Sequence, residues 1–496
     1  MTATGWTRLL AWTVCAAAAG VGEAAKTNYV AVTGTNPAPP FTSWDLAAPS
    51  IQAAVAAATN GDVVLVSNGT YLISAEIALT NAITVRSTAG AAETTVEREA
   101  AFTNLPHHRI FRITGSAVLD GFTVRNGYLP LVIYPAASQG AGIYMSAGTV
   151  QNCVIHTNGI GNSWTSAGAG LYMTGSSKLL SSSVVSNYGG SGSSGVGIYA
   201  TGSSLLISNR VAFNAGIGAG LVNQPKASFC VFENNAGSGV YGYTVTLSNC
   251  MVRYNTAATG GGLLMVNGNT ILDTAIVSNS ASTAGGGVYV SGAYEPLLFR
   301  RCIISGNTNA SYPGVYFANI NPDNGSRTFD LCRITDNPGG RSVYMSGVAL
   351  SILFRNCTIA ASQGLGVDVG SVVTNKAGAL LYPVFQNTIV YGHATNIFST
   401  NATLLSVLLT NSFTYSCSPQ LTSPGLYNVS GNPLFVGAAD GNYRLKSWSP
   451  CARSGTTNVL AFFKSDIELR PYGATVNMGC YEYLRKNPGG SLFTVR

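Results

Sequence analysis

The sequence is short of charge. Of its 496 residues, 26 are Lys or Arg and 19 are Asp or Glu, 9% in all, against roughly a quarter in ordinary soluble domains. That scarcity, beside 46% apolar residues, excludes a solvated disordered chain. It also argues against a helical protein built on Glu, Lys and Leu stripes. Histidine is rarer still: the four are His107, His108, His156 and His393, and no metal-ligand spacing occurs among them. The basic residues are scattered, which removes the clustered stripe expected of a nucleic-acid binder. Beyond the first 25 residues, no apolar run reaches the ~18 residues a membrane-spanning helix requires.

Glycine and tyrosine, 58 and 24 residues, are plentiful, and with Ser, Thr and Val they are the material of strands and turns. The start of the chain has one cation, Arg8, then an apolar run from Leu9 to Gly20 and small residues through Ala25. This is the anatomy of a secretory signal peptide, expected to end at residue 24. Its removal takes away Arg8 and Glu23 and leaves 25 minus 18, the same net +7. Attraction to acidic glycans stays open at that mild positive balance. Ten cysteines in an exported chain point to disulfides, yet most fall at repeat spacing in apolar strands, where a buried thiol serves as a small hydrophobe.

One pattern recurs: a small or thiol residue, an apolar residue two later and an Asn five later. It first reads Cys153, Ile155, Asn158 and last reads Cys332, Ile334, Asn337, with the other asparagines at Asn187, Asn214, Asn235, Asn255, Asn279 and Asn307. The strand is kept while the connections vary in length, which is solenoid behaviour. The Asn side chain is expected to bond the same turn on neighbouring coils and to accept the left-handed bend itself. A second strand, Gly-x-Gly-apolar-Tyr, puts Ile143, Leu171, Ile198, Leu221, Val240, Leu263, Val288, Val315 and Val343 on a core face. The neighbouring outward column reads Tyr144, Tyr172, Tyr199, Val222, Tyr241, Leu264, Tyr289, Tyr316, Tyr344, Asp368.

The expected fold is therefore all-β, a right-handed single-stranded parallel β-helix. A short helix at residues 51–58 would cover its open end. Residues 25–80 are assigned to the cap and first strands, 81–415 to the repeats and 416–496 to a C-terminal module.

The cap and the run Leu119 to Gly127 (LDGFTVRNG) resemble the pectate-lyase-like superfamily of right-handed β-helix proteins, over roughly residues 27–415. The stretches Gly285 to Val288 and Phe232 to Asn235 are similar to repeats of polymorphic outer membrane proteins. Asn432 to Val436, Gly441 to Leu445, Ser449 to Cys451, Arg470-Pro471 and Met478 to Tyr483 resemble a choice-of-anchor Q domain, departing from it at Asn432, where an Asp is usual. Cys451 and Cys480 lie in segments expected to pack together, and they are the disulfide candidate.

A lyase or hydrolase of that superfamily requires carboxylates on adjacent coils, to hold Ca²⁺ or act as acid and base. Two residues before each Asn the outward column offers one ion pair, Glu233 with Arg253, and no acid pair. Seven before the Asn, Arg300 and Asp330 are neighbours of opposite sign, and both pairs read as surface salt bridges. Glu295 and Asp323, in longer connections of successive coils, and Asp336 at a coil edge remain as candidate catalytic acids, against the alternative of solvated loops.

Seven tyrosines on one face, Tyr144, Tyr172, Tyr199, Tyr241, Tyr289, Tyr316 and Tyr344, are the candidate ligand-binding residues. Their rings could stack on successive sugars, or form a ladder that stabilises the sheet with no ligand. Two functions follow. One is a secreted or cell-surface, adhesin-like or structural module that binds an extracellular polysaccharide or matrix component. The other is a polysaccharide lyase or glycoside hydrolase. No cofactor is expected, with Ca²⁺ entering only under the lyase alternative, and neither nucleic acid nor a membrane span is expected.

Overall fold

The computed structural model describes residues 25–99, 107–130, 139–161, 167–189, 195–292, 296–318, 326–346, 352–371, 382–422 and 426–482. The expected signal peptide lies outside them. Three long parallel sheets of 15, 13 and 13 strands, here A, B and C, run the length of the chain. One coil visits each in turn: Thr149–Gln151 in A, Val154–His156 in B and Leu171–Met173 in C. Each strand pairs in register with its counterpart one coil on, as Ile155 does with Val184 and Tyr144 with Tyr172. The chain is a right-handed parallel β-helix. A three-stranded sheet, Tyr128–Leu129, Gly159–Ile160 and Tyr188–Gly189, widens its N-terminal half.

The corners are single residues in the left-handed region. Between A and B these include Asn152, Ser181, Ser208, Phe229, Asn249 and Asp273; after B they include Thr157, Ser186, Phe213, Asn234, Tyr254 and Ser278. The second set corrects the role expected of the repeating asparagines, because each bend is taken by the residue just before the Asn. The Asn itself is buried and forms a ladder. Asn214 donates its backbone N–H and its Nδ2 to Oδ1 of Asn235, at 3.1 and 2.9 Å, and its Nδ2 also to the Val184 carbonyl at 3.1 Å. The same backbone bond links each of the eight from Asn158 to Asn337, so buried polar groups at every coil are satisfied.

The interior columns are fully buried, including Ile143, Leu171, Val240, Leu263 and Val288. On sheet A a phenylalanine stack, Phe299, Phe329, Phe354, Phe385 and Phe413, keeps ring centroids 4.3 to 5.0 Å apart, the strand spacing itself. One register differs from expectation. Ala219 lies between Ile198 and Val240 in the core column, and the outward partner of Tyr199 is Gly220, not Val222. The physical reason is crowding: a Cβ on Gly220 would stand 3.2 Å from the Gly195 amide nitrogen and from the Tyr199 ring.

Helix α1, Ile51–Ala57, is capped by the Ser50 side chain and buries Ile51, Ala54 and Val55 against the first strands. A second helix, α2, Ala402–Val407, stands at the far end and buries Leu404; the sequence reading did not anticipate it. Residues 426–482 fold back over the last coils. Arg333 donates to the Tyr481 hydroxyl at 3.1 Å, Asn356 to the Asn477 carbonyl at 3.2 Å and Asn387 to the Thr456 carbonyl at 2.9 Å. Leu331 of the solenoid joins Val459, Phe463 and Val476 in one apolar cluster.

The described cysteines are all free thiols in this structure, and the expected partners Cys451 and Cys480 pack in different clusters. Cys480 packs on Thr358, Sγ to Oγ1 3.4 Å, whereas Cys451 clusters with Ile389 and Cys417. Thr358, Ile389 and Cys417 are successive members of one column on sheet B. The two thiols thus pack on different members of that column.

Candidate functional site

The tyrosine face is the outward side of sheet C. Its rings form two runs, because Gly220 and Leu264 isolate Tyr241. In the first run Tyr144 stacks on Tyr172 at 5.5 Å and 5°, and Tyr172 on Tyr199 at 5.2 Å and 14°. In the second Tyr289 stacks on Tyr316 at 5.1 Å and 4°, Tyr344 follows at 5.2 Å, and Tyr312 packs edge-on against Tyr316 at 4.8 Å. Each run ends under a guanidinium: Arg109 lies 5.4 Å from the Tyr144 centroid and Arg341 lies 5.3 Å from that of Tyr344, with Arg341 held by Asp368. Cation–π attraction favours both caps.

This geometry decides what the face can offer. Tyr172 and Tyr316 have neighbours on both ring faces, so neither ring is free to stack on a sugar. What points outward is a row of ring edges and hydroxyls at the strand repeat. Burial, then the neighbouring Tyr199 and Tyr144, push the Tyr172 phenol up to about 12. Burial likewise raises Tyr199, Tyr241, Tyr289 and Tyr316. These five phenols therefore stay protonated, able to donate as well as accept, well above neutral pH.

The candidate acids are not brought together. Glu295 and Asp323 lie outside the described residues. Asp336 accepts a hydrogen bond from the hydroxyl of Tyr443, a residue of the returning C-terminal segment, and it lines a cavity of about 490 Å³ with Tyr391, Phe435 and Lys446.

Besides Glu76, which pairs with Arg109 and Arg112, five carboxylates on the solenoid are matched to arginines. They are Glu97 with Arg125, Glu233 with Arg210 and Arg253, Asp273 with Arg301, Asp330 with Arg300 and Arg355, and Asp368 with Arg341. The expected Glu233–Arg253 and Arg300–Asp330 pairs are present at 2.7 and 2.8 Å. The second is not a surface pair, for Asp330 is fully buried and Arg355 grips it from the next coil at 2.7 and 3.0 Å. Phe462 covers that guanidinium at 3.6 Å. Arg355 was legible: Arg300, Asp330 and Arg355 each stand two residues before a repeat cysteine. Counting from the asparagines, which end at Asn337, missed it.

On sheet B, His156 follows Arg125 in register, and burial, then that cation, lower its pKa. Among the described residues no three His, Cys, Asp or Glu side chains gather as a metal site.

Residues 139–308 match the family described as right handed beta helix region. No curated protein matches the chain. Among solved structures it is similar to the pectate lyase Pel9A, at 14% identity over 93% of this chain and 97% of that one, TM-score 0.37. It is also similar to the A-module of the Azotobacter vinelandii mannuronan C-5 epimerase AlgE4, at 16% identity over 54% and 86%, TM-score 0.35. A third is the catalytic domain of a GH87 alpha-1,3-glucanase, at 12% identity over 77% and 69%, TM-score 0.36.

Proposed function

We propose that the chain is a secreted or cell-surface solenoid that binds an extended polysaccharide or matrix glycan along sheet C. The observation that carries this reading is the tyrosine row, half-buried, repeating at 5.1 to 5.5 Å within its stacked runs. A polymer of linked sugars presents hydroxyls at a comparable regular interval, and phenols fixed by stacking meet them with little entropy left to lose. Arg109 and Arg341 at the ends of the two runs are already paired with Glu76 and Asp368, so the row itself carries the contact to sugar. No adjacent pair of described carboxylates on the solenoid supports acid–base cleavage, which keeps the lyase or hydrolase reading second.

Removing hydroxyls while keeping the rings tests the proposal. Tyr172→Phe and Tyr199→Phe preserve the stack, and each is expected to weaken glycan binding about 3- to 10-fold, the worth of one neutral hydrogen bond. Binding is read by co-elution with a panel of acidic and neutral polysaccharides, with and without Ca²⁺. Unchanged affinity in both variants sinks the hydroxyl-row reading. Shortening of any polymer by the unmodified protein replaces it with the catalytic one.

A further inference from the structure

We propose that Cys417 and Cys451 close a disulfide that fastens the returning C-terminal segment to the last coil of the solenoid. Cys417 bridges Ile389 on one side and Val429 on the other as an outward-facing member of the sheet B column, with Sγ 3.4 Å from the Gly431 carbonyl. Cys451 comes from a different segment. Its N–H is held by Ser449 Oγ at 3.1 Å, and its carbonyl receives the Met478 N–H at 3.0 Å. Both thiols are fully buried in one cluster with Ile389, Leu445 and Met478.

The other neighbouring cysteines differ in kind. Cys302, Cys332 and Cys357 directly precede the paired residues Ile303, Arg333 and Thr358 on successive strands, so their Cα–Cβ bonds run parallel at the strand spacing of about 4.8 Å. That exceeds the roughly 3.5–4.5 Å between Cβ atoms of a disulfide, and closing it would pull two paired strands together. Their sulfurs also donate to carbonyls, Cys302 to Ile271 at 3.4 Å and Cys357 to Phe329 at 3.2 Å. Cys417 and Cys451 belong to no common ladder and can approach freely.

The chemistry is thiol–disulfide exchange with a small-molecule disulfide. The thiolate of one cysteine attacks it and expels one small thiol; the second cysteine, as thiolate, attacks the mixed disulfide and expels the other. Two cysteine thiols are oxidised with loss of two protons, and one small disulfide is reduced to two thiols. Because both sulfurs are buried once folded, exchange takes place before the segment closes.

An oxidising compartment follows from the export expected of residues 1–24, so the test fixes the redox conditions itself. The full chain is refolded with oxidised and reduced glutathione, alkylated in denaturant and mapped without reduction. One linked peptide pair, Cys417 with Cys451, is expected, with Cys302, Cys332, Cys357 and Cys480 alkylated. Full alkylation of Cys417 and Cys451, or a Cys451–Cys480 link, overturns the proposal. Cys451→Ser in oxidising buffer is expected to let protease cut residues 426–482 as fast as in the reduced unmodified chain. Equal cutting of oxidised and reduced unmodified protein overturns the fastening role even if the variant fails to fold.

Discussion

At the scale of single residues, the solenoid depends on bends that its own residue types resist. Phe229 sits at φ 55° with 61% of its surface exposed, a left-handed position that costs a bulky L-residue roughly 1–2 kcal/mol. Asparagine accepts that region more readily. Phe229→Asn is therefore expected to stabilise the chain by about 0.5–1 kcal/mol, read from the midpoint of urea unfolding at unchanged slope. Phe213 occupies the matching bend after sheet B, but Arg210 lies 5.2 Å over its ring, so Phe213→Asn should gain less. These bends also show where the sequence was hard to read. The repeating Asn had the right chemistry for a left-handed corner, yet its amide is consumed by the buried ladder. The corner falls to Thr157, Phe213 or Tyr254, residues whose types announce nothing of the kind.

At the scale of elements, two ladders of like residues do different work. The asparagine ladder is a chain of buried bonds, and Asn235 stands in its middle, receiving Asn214 and donating to Asn255 at 2.9 Å and to Val211 at 3.1 Å. Asn235→Ala strands the Asn214 N–H away from water, at about 1–3 kcal/mol. Because coils touch only their neighbours, faster amide exchange is expected around Asn214 and Asn255 and none around Tyr144. Uniform acceleration along the chain would show instead that the ladder acts as one cooperative unit.

The tyrosine ladder is sensitive to pH. The folded-state pKa values of Tyr172 and Tyr199 are raised above the ordinary 10, Tyr172 to about 12, so between pH 10 and 12 the unfolded chain gives up protons that the folded chain retains. Stability contributed by this burial is complete below pH 10 and lost as pH rises through about 12. A denaturation series over that window should fall more steeply for the unmodified protein than for Tyr172→Phe. The outward column was legible from alternation alone. The stacking of its rings on one another was not, because a period of two gives the face a side chain takes and says nothing of its tilt along the solenoid axis.

At the scale of the whole molecule, the repeats and the C-terminal residues are less separate than the boundary near residue 416 implies. The boundary is drawn at the end of the repeat. The docking was not legible there, because its solenoid partners are corner residues such as Leu331, Asn356 and Asn387, which look interchangeable with corners that face water. In the fold Leu331 is fully buried beneath Val459 and Phe463, and Asn387 both donates to the Thr456 carbonyl at 2.9 Å and accepts its N–H at 2.8 Å. Phe462 also shields the Arg355–Asp330 pair. Removing residues 426–482 would thus expose an apolar strip and orphaned amides on the last coils while leaving the asparagine ladder from Asn158 to Asn307 untouched. Limited proteolysis of the shortened chain is expected to cut first between residues 331 and 415 and to spare the coils before Asn307, with self-association visible by light scattering. A monomer with the cutting pattern of the full chain would mean that the solenoid closes its own end, and that the returning segment rests on it without holding it.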